Sequence, residues 1–215
     1  MKIIRLFLAS SEELKPERLV IAELITKLNY LWAEYGISIR LVKWEYLDSS
    51  MGAQHKQEDY NDYLRQCDMC IVLYWTKFGM YTEIELETAY ELLKTNSSLK
   101  NMYVLFKEGG DMTESLKNFR NKYEAEHPDL CNSFNKELQL KELLVQQIIQ
   151  CVQSKLEAEH ELLEKRMRKV QKLLKVTEEN EPEYDEYLHY LQEAKESLST
   201  NESVVDNLKH SVQNI

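Results

Sequence analysis

Residues 68–93 combine a short, wholly apolar run with an amphipathic helical pattern, and this stretch constrains the fold more than any other. The run from Met69 to Leu73 has the length and composition of a strand buried on both faces. The helical pattern begins near Tyr81, after a connection that contains Gly79. Strands buried on both faces occur almost only in parallel sheets that helices cover. The stretch therefore predicts an α/β domain.

The same alternation of strand and helix patterns extends over residues 1–135. Apolar runs predict further strands at residues 3–9 and 102–106, with room for a weak fifth strand near Leu130. Residues 37–44 at first alternate apolar and polar side chains, which is typical of an edge strand. We therefore expect a doubly wound, flavodoxin-like parallel sheet. The helices expected between its strands are residues 16–35, 55–66 and 113–123.

Residues 136–215 have the pattern of a helical extension. The chain has no glycine after Gly110 and no proline between Pro128 and Pro182, so residues 136–176 can form one helix of about 40 residues. Its first part is apolar enough to pack on the sheet domain, and its apolar residues then follow coiled-coil spacing. Two shorter helices are expected after it. The extension is predicted to be an arm for self-association or partner docking, or a brace for the sheet domain.

Composition and charge argue against several classes of function. The formal net charge of −10 disfavours a nucleic-acid partner, because phosphate binding needs a basic face. No apolar stretch approaches the roughly 18 residues of a membrane span, and the N-terminus predicts a strand and not a signal peptide. Cys67 and Cys70 form a C-x-x-C pair, but no second pair completes a metal site. We expect a reduced cytoplasmic protein with no metal site.

One glutamate of the helix after the third strand differs from its neighbours. At about 100° per residue, Glu83, Glu87 and Glu91 fall on the solvent side, whereas Glu85 lies near the centre of the apolar arc. Glu85 is therefore expected in the first helical turn, beside the carboxyl end of a buried strand, where open α/β sheets bind ligands. A simpler interpretation is that Glu85 only complements the helix dipole or pairs with a lysine.

Residues from neighbouring strand ends are expected to surround Glu85 in this crevice. No G-x-G-x-x-G, P-loop or G-x-S-x-G motif is present, so any nucleotide would bind through side chains and loops. Aromatic rings can stack a base, and a carboxylate can stabilise positive charge on a ribose during glycosidic cleavage. The predicted substrate-binding residues are Ser10, Ser11, Trp44, Asp48, Tyr74, Trp75 and Tyr81.

The segments IIRLFLASSEE, DSSMG and CIVLYWTKFGMYTEIELETA resemble bacterial TIR (Toll/interleukin-1 receptor) domains. The resemblance covers roughly residues 1–135 and leaves the helical extension unexplained. Tyrosine stands where the family usually has tryptophan, the first strand lacks the customary leading aspartate, and the loop after the second strand lacks the frequent Gly-Pro. The family's hydroxyl, two aromatic, glutamate and alanine positions correspond to Thr76, Phe78, Tyr81, Glu85 and Ala89.

The resemblance implies a function as well as a fold. Many bacterial TIR domains cleave NAD at the nicotinamide–ribose bond, often in defence against phage, and the match gives the essential glutamate role to Glu85. Glu83 and Glu87 each lie two residues from Glu85, so either of them could instead correspond to the essential glutamate. The loop at residues 48–53 would reorganise on assembly.

Three hypotheses follow from these observations. The leading one is an NAD glycohydrolase that depends on self-assembly into a homo-oligomer, with NAD as substrate and no further cofactor. The second is a non-enzymatic TIR interaction module that uses the same loop surfaces. The third is an enzyme similar to nucleoside 2-deoxyribosyltransferases, a fold that also sets a glutamate beside a nucleoside.

Overall fold

The computed structural model describes residues 1–43, 62–78, 82–95, 98–175 and 182–213. The chain divides into two compact units, residues 1–147 and residues 148–215. Within the described residues, no helix combines the length and the apolar character that crossing a membrane requires.

Unit 1 is built on a five-stranded sheet in which every strand pairs in parallel with its neighbours, in the order β2-β1-β3-β4-β5. This order confirms the predicted doubly wound, flavodoxin-like sheet with the second strand at an edge. Residues 62–65 are also helical. The strands are β1 (Lys2–Ser10), β2 (Ile37–Lys43), β3 (Met69–Tyr74), β4 (Asn101–Lys107) and β5 (Cys131–Phe134). The flanking helices are α1 (Lys15–Trp32), α2 (Thr82–Lys94) and α3 (Glu114–Glu126).

The centre of the sheet carries the core, as the apolar runs predict. All six residues of β3 are buried, and so are the five inner residues of β4. Alternate residues of β3 (Cys70, Val72 and Tyr74) belong to one core cluster. Strands in this position have both faces covered, so they contain almost no polar side chains.

The ends of α1 show how local sequence sets the element boundaries. Pro16 lies in the first turn, where a missing backbone N–H costs nothing. After α1 the chain makes a 3-10 turn, Ala33–Tyr35, and stops at Gly36, whose φ of 67° is left-handed. The Gly36 N–H donates to the Ala33 carbonyl at 3.1 Å. The helical conformation therefore ends at residue 35, where the sequence predicts it.

Two helices form the extension. The first, α4 (Glu137–Leu174), agrees closely with the predicted long helix. Its opening part contributes the buried residues Leu140 and Leu144 to unit 1, and the rest of the helix belongs to unit 2. In unit 2, Met167 packs with Leu191 and Ala194 of the following helix, so part of the coiled-coil-like stripe is covered within the same chain.

The prediction of two shorter helices after α4 is wrong, because one continuous helix, α5 (Pro182–Ser211), occupies this region. The polar run at residues 199–201 consists of residue types that can cap a helix, but it contains neither glycine nor proline. The Thr200 hydroxyl instead donates to the Glu196 carbonyl at 2.9 Å, and the Ser203 hydroxyl donates to the Thr200 carbonyl at 3.0 Å. Hydroxyls bonded in this way are tolerated inside a helix.

Candidate active site

The carboxyl ends of β1 and β3 flank the point where the strand order reverses. β1 pairs with β2 on one side and with β3 on the other, so the connections that leave β1 and β3 diverge. In open α/β sheets, ligands bind in the crevice at this switch point. The β1 connection begins with Ser11, and the β3 connection begins with Trp75 and leads to α2.

On the β1 side, a buried arginine holds the end of the strand. Arg18 of α1 is 1% exposed, and its Nη1 donates to Ser10 Oγ at 3.0 Å and to the Ser11 carbonyl at 2.8 Å. Its Nη2 lies 3.3 Å from the carboxylate of Glu12. Ser10 and Ser11 are themselves buried. The two predicted serines therefore lie at the switch point, with a fixed positive charge beside them.

Glu13 joins the β1 side to the β3 side. Its Oε1 accepts from the backbone N–H of Thr76 at 3.0 Å, from that of Lys77 at 3.4 Å and from Ser11 Oγ at 3.1 Å. Its Oε2 accepts from the Thr76 hydroxyl at 2.5 Å. Burial alone would raise the pKa of Glu13, but these hydrogen bonds, led by those of Thr76, outweigh it and hold the pKa below its ordinary value.

The connection after β4 contacts the connection after β3 at the same edge of the sheet. The Thr113 N–H donates to the Thr76 carbonyl at 2.7 Å. At the end of β4, the Lys107 ammonium lies 3.9 Å from the centre of the Trp75 ring and 2.7 Å from the carboxylate of Glu17 on α1. Trp75 therefore lies at the carboxyl edge of the sheet as predicted, with a lysine already on one face of its ring.

Tyr74 lies in the core and not in the crevice. It is 0% exposed, and its ring stacks on Phe106 at 5.7 Å between centroids. Phe78 and Phe119 meet the same ring edge-on, at 5.6 and 5.5 Å. A base could stack on Tyr74 only by displacing these rings, so we assign Tyr74 to the core.

The remaining predicted site residues are described in part or not at all. Trp44, Asp48 and Tyr81 lie outside the described residues. Glu85 belongs to α2, as predicted, but the structure describes only the backbone of that turn, so the direction of its side chain stays a prediction.

Later positions of α2 show which side of the helix is buried. Leu86 and Ala89 are buried, whereas Glu87 and Glu91 are exposed. Among the glutamates of α2 with described side chains, both face water as expected.

The cysteine pair has no sign of redox reactivity. Cys67 is buried and its Sγ donates to the Tyr63 carbonyl at 3.2 Å, while Cys70 is enclosed in β3. Burial, with a smaller effect of the Asp68 carboxylate, raises the pKa of Cys67 to about 12. A reactive thiol needs a lowered pKa and exposure. In the described part of the chain, no cluster of three or more histidine, cysteine, aspartate or glutamate side chains could hold a metal ion.

Sequence reasoning missed three residues of this edge. Arg18 lies at helical spacing from the buried residues Leu14, Ile21 and Ile25. An arginine on such an apolar face can be recognised in the sequence as a candidate functional residue. Glu13 and Lys107 carry no such signal. Their partners are distant in sequence, so only the fold brings them together.

Comparisons with known proteins place the chain only loosely. No family model matches it, and no curated protein matches it. Among solved structures it is similar to Clostridium botulinum CMP N-glycosidase BcmB, with a TM-score of 0.40 and 19% sequence identity. The similarity covers 65% of this chain and 97% of that chain. A similarity of this degree identifies neither a family nor a substrate.

Proposed function

We propose that this chain is a TIR-type glycohydrolase that cleaves the nicotinamide–ribose bond of NAD, with Glu85 as the catalytic carboxylate. The observation that carries the proposal is the sheet order. α2 is the helix that follows β3, one of the two strands at the switch point, and it contains the glutamate that the TIR resemblance marks.

Three other carboxylates at this edge have structural partners. Glu13 accepts four hydrogen bonds, so it could contact a substrate only by breaking contacts between loops. One oxygen of the Glu17 carboxylate pairs with Lys107 at 2.7 Å. Glu12 is largely exposed and lies against Arg18. This distribution supports Glu85 as the carboxylate that acts on a ligand.

The proposed reaction needs one negative charge beside the ribose. As the C–N bond breaks, nicotinamide leaves as a neutral base with the bonding electrons, and positive charge develops on the ribose. An ionised Glu85 would stabilise that charge, and the start of a helix favours the ionised form. Water then adds to the ribose carbon and releases a proton, which gives ADP-ribose.

The test compares three isosteric variants. We expect Glu85→Gln to lower NAD turnover by at least about 100-fold, the scale on which loss of one preorganised electrostatic group acts. Glu83→Gln and Glu87→Gln should leave turnover within a few-fold of the unaltered chain. NAD and nicotinamide are quantified by chromatography over a range of protein concentrations. Equal losses in all three variants would contradict the assignment of Glu85.

We further propose that activity depends on assembly with a second copy through α4. Charge is segregated along this helix: residues 157–164 hold only acidic charges, and residues 165–175 hold only basic ones. Glu157, Glu161, Arg168 and Lys172 are exposed and fall at helical spacings along one side. An antiparallel pair centred between residues 164 and 165 would set each acidic half against the basic half of the other copy.

A non-enzymatic interaction module is the second candidate. It is favoured by the use of predicted substrate-binding residues for packing: Tyr74 is enclosed by aromatic rings, and Ser10 Oγ is bonded to Arg18. For such a module, NAD would remain intact at high protein concentration and under crowding. Base exchange between deoxynucleosides would instead indicate a transferase.

A further inference from the structure

We infer that Glu13 is a positioning residue for the active site, and that Glu85 works at full rate only while Glu13 holds the connection between β3 and α2. The inference rests on the proposed function, because the rate in question is that of NAD cleavage.

The contact geometry is that of a clamp across the switch point. Glu13 lies in the 3-10 turn that follows β1, and its main partners, Thr76 and Lys77, follow β3. Three hydrogen bonds at 2.5 to 3.4 Å cross from one connection to the other. The fourth, from Ser11 at 3.1 Å, fixes the carboxylate on its own side. Charge-assisted bonds of this kind are about twice as strong as neutral ones.

Thr76 is held from the opposite side as well. Its carbonyl accepts from the Thr113 N–H at 2.7 Å, so the residue links the β1, β3 and β4 connections through three different groups. A residue fixed in this way has little freedom while Glu13 is ionised. Without the carboxylate, the bond to Thr113 would be the remaining one of these links between connections.

The restraint lies close to the catalytic helix in sequence. Only four residues separate Lys77 from Thr82, the first residue of α2. A connection that short spans at most about 18 Å. Because so few residues intervene, we infer that a shift at Lys77 changes the position of the turn that contains Glu85. A misplacement of about 1 Å can lower a rate by about 100-fold.

A purely structural role would give a different result. If Glu13 only stabilised the fold, its variants would melt earlier but turn over normally at temperatures where they are folded. If it positions Glu85, kcat falls in folded protein while KM for NAD changes little, because Glu13 is not proposed to touch the substrate.

The experiment measures kcat and KM for Glu13→Ala, Glu13→Gln and Thr76→Val, with Glu23→Ala as the matched control. Glu23 is an exposed glutamate on α1. We expect Glu13→Ala to lower kcat about 10- to 100-fold with KM within about threefold. Glu13→Gln should fall less, because its amide oxygen can still accept the backbone N–H groups. Glu23→Ala should equal the unaltered chain.

Thr76→Val removes only the hydroxyl bond and should lower kcat less than Glu13→Ala. The combination of Glu13→Ala with Thr76→Val should be no slower than Glu13→Ala alone, since both changes remove the same contact. If Glu13→Ala does not fold, Glu13→Gln is compared with the control instead. A kcat of Glu13→Gln below that of Glu23→Ala supports the positioning role of Glu13. If the unaltered chain turns over NAD and the Glu13→Gln and Glu13→Ala variants have the same kcat, the inference is overturned and the proposed function is not. No turnover by the unaltered chain at any concentration would overturn the proposed function and the inference with it.

Discussion

Replacement of Gly110 by alanine tests the close approach between the β4 connection and Trp75. A Cβ at this position would lie 2.9 Å from Thr76 Cγ2 and 3.0 Å from Trp75 Cε2, and closer still to the indole nitrogen. These atoms cannot retreat easily, because the ring carries Lys107 on one face and Thr76 is bonded to Glu13 and Thr113. The Trp75 or Thr76 side chain, or the backbone that carries it, must therefore shift.

The expected cost is that of overpacking in a close-packed region, about 1–3 kcal/mol. For a protein of this size, such a loss lowers the melting temperature by roughly 2–12 °C. The neighbouring Gly109→Ala is the control: its φ of 82° is strained for alanine, but nothing lies within 4 Å of the added carbon. Its cost is about 1–2 kcal/mol and comes from the backbone alone.

Tryptophan fluorescence is the appropriate measurement, because Trp32, Trp44 and Trp75 all belong to residues 1–147 and report on unit 1. Urea titrations are run for each alanine variant in the original chain and in a Trp75→Leu background. The cost of Gly110→Ala should fall in that background, whereas the cost of Gly109→Ala should stay the same. Equal costs of Gly110→Ala in both backgrounds would refute the reasoning, as would a fully stable Gly110→Ala.

Two further predictions concern charge. The double variant Glu157→Lys with Glu161→Lys should not self-associate, and neither should the double variant Arg168→Glu with Lys172→Glu. A mixture of the two double variants should form heterodimers in analytical ultracentrifugation. If both double variants self-associate like the unaltered chain, these four residues of α4 do not form the interface. The hydrogen bond that Arg120 donates to Glu108 lowers the pKa of this carboxyl group, so the carboxylate stabilises the fold above its unfolded pKa and that stability is lost as the pH falls through the lowered value. The difference in unfolding free energy between the unaltered chain and Glu108→Gln should therefore be present at pH 7 and shrink as the pH falls below about 4.5. A difference as large at pH 3 as at pH 7 would contradict this.

The fold could be predicted from the sequence where a single pattern had a single physical interpretation. The wholly apolar run of β3 is incompatible with an exposed face, and Gly36 is a residue that adopts the left-handed conformation at a helix end without strain. The run at residues 199–201 has two interpretations. Serine and threonine can cap a helix or bond back to its own carbonyls, and the structure shows the second.

The site was harder to predict because its contacts are long-range. Glu13 and Thr76 are 63 residues apart, and no local pattern pairs them. Tyr74 was misjudged as a substrate-binding residue, although it continues the alternation of Cys70 and Val72 into the same core cluster. Side chains alternate between the two faces of a strand, so Tyr74 lies on the same face as Cys70 and Val72. This alternation assigns Tyr74 to the core.

At residue 18, lysine could not replace arginine, although both side chains carry a positive charge. One flat, forked head group reaches the Ser10 hydroxyl, the Ser11 carbonyl and the Glu12 carboxylate together. An ammonium at the end of a lysine chain is a point charge and cannot span the same three oxygens. The end of β1 therefore selects for the shape of the head group as well as for its sign.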